Sequence, residues 1–206
     1  MLRRTSLGPC VREDDEPKMR RRPRFLATRL PVRSAAFTLV ELTITLALAG
    51  LLAGIALPAF HGWLAATQLT NHAKSIAESM TRARTEAIRR GHRVNLCKSP
   101  DRRQCTSRGG WDAGYIVYVD INRDGQVSDA ESVLGIEGHA PAGVTVEANK
   151  PLENYVSYTS LGHARMLNGA LQMGTLTVCR SGQRALHIVL AGSGRVRVER
   201  AASRCP

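Results

Sequence analysis

From Phe37 to Phe60 the chain carries one charged side chain, the carboxylate of Glu41, in a run otherwise built from Leu, Ala, Ile, Val, Thr, Gly, Pro and two phenylalanines. A helix needs about 20 apolar residues to cross the hydrocarbon of a bilayer, and this run meets that length. A secretory signal core is shorter, roughly 7 to 15 residues, and ends at a small-residue cleavage site. An acid this far into a span costs on the order of 3 kcal/mol on insertion scales, so something must compensate it. Neither a signal peptide nor a lone anchor has a use for such an acid. Residues 1–36 hold ten Lys/Arg against four acids. Positive charge before a span keeps that side cytoplasmic and sends the bulk of the chain across the inner membrane, which in a bacterium means the periplasm. Met19 begins a shorter leader that retains Arg20, Arg21, Arg22, Arg24, Arg29 and Arg33, and either start leaves the chain from Phe37 onward unchanged. Gly50 and Gly54 form a small-xxx-small pair and Pro58 removes a helical donor, so the span can pack closely and bend.

The helical signal outlasts the apolar run. Over residues 61–91, Leu69, Ala73, Ile76, Met80, Ala83 and Ala87 recur at steps of three and four. Lys74, Glu78, Arg82, Glu86 and Arg90 alternate in sign on another face, which predicts i,i+4 pairs. Gly91 follows the cationic Arg89 and Arg90 and reads as the C-cap. Beyond it, over residues 92–206, the pattern turns to strands: His92–Cys97, Gly114–Asp120, Ser132–Glu137, Val144–Ala148, Tyr155–Thr159, Thr175–Cys179, Ala185–Leu190 and Arg195–Glu199. Each is short, rich in Val, Ile, Tyr or Thr and bounded by turn residues. One long N-terminal helix followed by antiparallel strands is an α+β chain with one modest soluble domain.

Cys10 lies in the leader, and Cys97, Cys105, Cys179 and Cys205 remain, an even set suited to an oxidising compartment. Four cysteines allow three pairings. The favoured one joins Cys97 to Cys105 across a short polar loop and Cys179 to Cys205, tying the tail to a strand. A zinc site would want close Cys-x2-4-Cys pairs, and the spacing offers none.

The segment Phe37-Thr-Leu-Val-Glu-Leu42, behind a basic leader and the small residue Ala36, resembles the class III leader of type IV pilins and type II secretion pseudopilins. The rest resembles the GspH/FimT branch of that superfamily: the helix end Thr85–Gly91, the Trp111–Tyr115 strand and the Gly174–Cys179 strand. The resemblance implies a type IV pilin-like fold, with a helix that is membrane anchor over 37–60 and amphipathic over 61–91, packed on an antiparallel β-sheet domain. It implies that a prepilin peptidase removes residues 1–36 between Ala36 and Phe37 and methylates the new amine. Glu41 then falls at mature position five, where it can face the terminal amine of a neighbouring subunit, and Pro58 at position twenty-two, where type IV pilins commonly carry proline. Other pilins or pseudopilins in a filament are the implied partners.

Charge gathers at the C-terminal end, where Arg180, Arg184, Arg195, Arg197, Arg200 and Arg204 face a single acid, Glu199. Arg195 and Arg197 lie two apart on a strand and so share a face, with Val196 and Val198 on the other. Arginine binds phosphate through a planar bidentate fork, which points to a polyanion. The Gly194-Arg-Val-Arg197 tail resembles that of FimT-type minor pilins, which bind DNA in natural transformation. Double-stranded DNA is therefore the expected partner of Arg195 and Arg197, with Arg180, Arg184, Arg200 and Arg204 added on local charge alone. Arginines on an edge strand also solubilise and protect the edge. A GspH-like pseudopilin of type II secretion, exporting protein without binding DNA, is the alternative.

Asp120, Asn122, Asp124, Gly125 and Glu131 fit D-x-[DN]-x-[DN]-G-x5-E, the spacing of a calcium loop. The same residues make an ordinary acidic turn between strands, which is the favoured reading, with calcium the alternative. No other cofactor is expected. The six histidines are scattered, and His163 and His187 lie near strands as surface or core residues. Neither a nucleophile spacing nor a glycine-rich phosphate loop is present, so catalysis is not expected.

Overall fold

The computed structural model describes residues 38–206, with the backbone alone at 58 and 59. Helix α1, Leu39–Arg90, is continuous through Pro58. Its start is set by Thr38, whose Oγ1 accepts the backbone N–H of Glu41 at 3.2 Å. Its end is Gly91, in the left-handed region at φ 70°, with its N–H on the carbonyl of Ala87 at 3.1 Å. A hydroxyl cap at the start and a left-handed glycine at the end each satisfy backbone groups that the helix leaves unpaired.

Eight antiparallel strands follow: β1 Arg93–Lys98, β2 Tyr115–Asp120, β3 Val133–Glu137, β4 Val144–Ala148, β5 Tyr155–Tyr158, β6 Gly174–Arg180, β7 Arg184–Leu190 and β8 Val196–Arg204. They form two four-stranded sheets, ordered β3-β2-β1-β5 and β4-β6-β7-β8. Single 3-10 turns stand at Trp111–Ala113 and Lys150–Leu152. The last strand departs most from expectation, running to Arg204 instead of stopping at Glu199. Pairing continues because Ala201 and Cys205 pack with Ala185 and Cys179 in a small apolar cluster that holds the tail in register.

The second half of α1 seats both sheets. Leu69, Ala73, Ile76, Met80, Ala83 and Ala87 are all buried, and they share one cluster with Val94, Leu96 and Tyr158 of the first sheet and Val146, Leu176, Val178 and Ile188 of the second. Two hydrogen bonds fix the helix against the domain: Tyr115 Oη with Ser79 Oγ at 3.0 Å, and Arg84 Nε donating to the carbonyl of Gly162 at 2.9 Å. Gln172, fully buried, accepts the N–H of Ser157 and donates to the carbonyls of Pro151 and Tyr155, so its burial leaves no polar atom unmet. Of the charge pairs predicted along the outer face, Glu86–Arg90 forms, joined by Glu86–Arg89. The two guanidinium groups hold the Glu86 carboxyl at about 2. The pairs Lys74–Glu78, Glu78–Arg82 and Arg82–Glu86 are absent among the described residues, as expected of exposed pairs that gain little.

His72, on the same helix, is half-buried, and its Nε2 is enclosed without a partner. Burial lowers its pKa below 6.5, with Glu137 and Asp112 acting the other way. The folded state therefore resists protonation that the unfolded chain accepts, so stability is lost as pH falls through the unfolded value. The melting temperature should drop between about pH 7 and about pH 5, and His72→Gln should flatten part of that drop. Equal drops in the two proteins would contradict this origin.

Candidate functional site

Three regions could carry function: the start of α1, the turn into β8 with its arginines, and the acidic loop after β2. At the first, Thr38 as N-cap and Glu41 three residues on form the S/T-x-x-E pattern of a helix start, so the carboxylate sits in the first turn of α1. The side chains of Leu39, Leu42, Leu46, Leu51, Ile55 and Phe60 are all exposed. Among the described residues α1 is the one helix long and apolar enough to cross a membrane, and none of its most apolar stretch is covered by the protein. Ala36 and Phe37, the expected processing site, lie outside the described residues.

The turn from β7 into β8 is built on Gly194. Its φ is 82°, and a Cβ there would stand 2.1 Å from the carbonyl oxygen of Gly162, the atom that also accepts Arg84. Only glycine fits. The turn closes through the Gly194 N–H on the carbonyl of Ala191 at 2.8 Å and the Ala191 N–H on that of Arg195 at 3.0 Å. Arg195 and Arg197 emerge from it exposed, while Val196 packs half-buried on the core. Val198 shares the face of Val196 but is 38% exposed, because it borders an open concavity lined by Lys74, Ala77, Glu78 and Thr81. Arg197 is not free: its Nε donates to Oε1 of Glu199, the next outward residue.

The six arginines do not form one patch. Pairing of Leu190 with Val196, Ile188 with Val198 and Leu186 with Arg200 puts Arg200 on the helix-facing side, the opposite face from Arg195 and Arg197. Arg184 joins Arg200 in a concavity with Ala66, Leu69 and Thr70, and Arg180 donates to Oε1 of Gln68 at 2.5 Å. Arg204 stands opposite Arg184. The signal was present in the numbering, since odd and even positions of one strand point apart. Grouping by local charge overlooked it.

Both favoured cysteine pairs are bridged, Cys97–Cys105 and Cys179–Cys205, each with Cα atoms 5.5 Å apart. At the loop after β2, Asp120, Asp124 and Glu131 each accept hydrogen bonds. Asp120 accepts Asn95 Nδ2 at 2.6 Å, and burial raises its pKa. Asp124 accepts the N–H of Gln126 at 2.7 Å and Asn122 Nδ2 at 2.8 Å. Glu131 accepts the N–H groups of Ile121 and Ser128. Asp124 and Glu131 thus close the turn on its own backbone, whereas Asp120 is held by the Asn95 side chain and keeps its Oδ1 buried without a partner. Among the described residues no group of three His, Cys, Asp or Glu side chains is placed to hold a metal ion. His163 and His187 stand apart from each other along the fold, the latter within β7.

The model of the family described as type II transport protein GspH matches residues 72–194. The pilin-like protein PilA1 of Thermus thermophilus is 37% identical over 94 residues, which take in 46% of this chain and 53% of that protein, so the chain spans about half the length of this relative. The crystal structure of the type IV minor pilin FimU of Pseudomonas aeruginosa superposes at a TM-score of 0.52, with 17% identity, over 66% of this chain and 95% of that one. At that identity the likeness is one of fold: a long helix seated on antiparallel sheets.

Gly194→Ala should be disproportionately costly for a surface turn, because it combines a left-handed backbone with a clash against a carbonyl. Gly182→Ala, where φ is also positive but no atom lies within 4 Å of the added carbon, should lose only the roughly 1 to 2 kcal/mol of a left-handed alanine in chemical denaturation, and Gly194→Ala should lose about 1 to 3 kcal/mol more. Equal losses would show that the Gly162 contact does not constrain the turn.

Proposed function

The chain belongs to the family of the type II transport protein GspH, a family of minor pilins and pseudopilins, and on that premise we propose that it is a FimT-like minor pilin that takes part in type IV pilus biogenesis and binds double-stranded DNA. It is proposed to be made with a leader that prepilin peptidase removes before Phe37, with methylation of the new amine, and to sit in the inner membrane with its domain in the periplasm until a filament takes it up. Glu41 would then meet the N-terminal amine of an adjoining subunit, which offsets the cost of a carboxylate among lipid tails. We propose no catalytic activity and no required cofactor.

The observation that carries the DNA reading is the Gly194–Arg197 turn, which leaves Arg195 and Arg197 exposed where β8 begins at the edge of its sheet. Two such groups neutralise few phosphates, so binding would be weak for one subunit, sequence-independent and salt-sensitive. Several subunits along a filament would gain by multivalency. The alternative, a type II secretion pseudopilin that does not bind DNA, is favoured by one specific feature: Glu199 already occupies Arg197.

The two readings part in a titration of the mature chain, held in zwitterionic detergent, with a DNA duplex at low salt. Arg195→Gln together with Arg197→Gln should weaken binding and lower the slope of log K against log salt by about 2. Glu199→Gln should strengthen binding, because it frees Arg197 and removes a negative charge. If all three proteins titrate alike, DNA is not the ligand of this turn and the secretion reading takes its place. Separately, Glu41→Val should abolish incorporation into filaments while leaving the folded domain intact. Undiminished incorporation would count against the filament role.

A further inference from the structure

We propose that Arg180, Arg184, Arg200 and Arg204 form a seat for the phosphates of anionic phospholipids, on which the domain rests against the membrane its own helix crosses. The inference builds on the membrane-anchor reading of α1 given above.

Three observations converge on it. The first is position along the helix. Arg180 is tied to Gln68, and Arg184 and Arg200 face Ala66, Leu69 and Thr70. Ala66 and Thr70 follow Phe60, the last residue of the apolar run, by about 9 and 15 Å along the axis at 1.5 Å per residue. The headgroup layer on each side of a bilayer is about 5 to 8 Å deep, and charges couple over a further 8 Å or so at physiological salt. The arginines therefore stand at the level where lipid phosphates end.

The second is the aromatic pair beside them. Phe60 and Trp63 are exposed and tilted against each other with ring centroids 5.8 Å apart. Tryptophan at the end of an apolar helix marks the water-facing boundary of the hydrocarbon, where its amphipathic ring is stable. One to two turns further on come the arginines.

The third is that the charge is uncompensated. Among the described residues none of the four arginines forms a salt bridge, and no acid lines the concavity shared by Arg184 and Arg200. Gln68, a neutral acceptor, orients Arg180 without cancelling it. Guanidinium groups so placed match phosphodiester oxygens in geometry as well as sign. Their face of β8 is the opposite one from Arg195 and Arg197, so the seat and the proposed DNA edge can be occupied independently.

The test uses the full mature chain reconstituted in lipid nanodiscs, with phenylglyoxal modification of each arginine followed by mass spectrometry. Passing from phosphatidylcholine to discs with about 30% phosphatidylglycerol should slow modification of Arg184, Arg200 and Arg204 by roughly tenfold. Salt at about 0.5 M should restore it. Arg195 and Arg197 should react equally in both discs. Unchanged reactivity at Arg184, Arg200 and Arg204, or uniform slowing of all arginines, would overturn the proposal. So would protection of these three by a DNA duplex in phosphatidylcholine discs to the same degree as Arg195 and Arg197, which would assign the surface to nucleic acid. Failure of the chain to co-elute with the discs would refute the anchor itself, an outcome distinct from a chain that co-elutes but shows no lipid dependence.

Discussion

Six side chains on one stripe of α1, from Leu69 to Ala87, are the seam on which both sheets close. Alanine at Ala73, Ala83 and Ala87 lets the sheets approach the helix axis, while Leu69, Ile76 and Met80 fill the space between them. Neither sheet has a complete core alone, because the inward residues of each meet this stripe. The packing leaves the opposite face of the helix to charged residues. It also fixes how far along the helix each strand end lies, and so where the arginines of β6, β7 and β8 come to stand.

The two halves of the same helix solve different burial problems. In the second half, apolar side chains are covered by the protein's own sheets. In the first they are bare, and a carboxylate stands among them at Glu41. On the proposed reading, lipid and other subunits would surround that stretch. A fold that joins a self-sufficient domain to a helix half that is not self-sufficient suits a building block, in keeping with the family to which the chain belongs.

Much of this was legible in the residues. The core stripe follows from a 3.6-residue period with no competing pattern, and the helix end from a glycine after two arginines. Strand edges fell within a residue or so, because Gly, Asn, Asp and Pro bound them. What was not legible depended on contacts distant in sequence. The length of β8 rests on a disulfide and an alanine pair, and the need for Gly194 rests on the carbonyl of Gly162, thirty-two residues earlier. The division of the arginines was readable from parity along the strand, yet counting charge alone merged them. In the acidic loop the spacing was legible but the partners were not: Asp124 and Glu131 accept N–H groups of the turn itself, while Asp120 is held by Asn95 from β1, twenty-five residues earlier.

The claim at the centre of this account is that the acid in the apolar helix is matched by a freed amine. It is tested most directly by intact mass spectrometry of the chain purified from membranes of its own cells. The account predicts a chain that begins at Phe37 and carries one added methyl group. A chain that keeps residues 1–36, or starts elsewhere, would leave Glu41 without its counter-charge and contradict the claim.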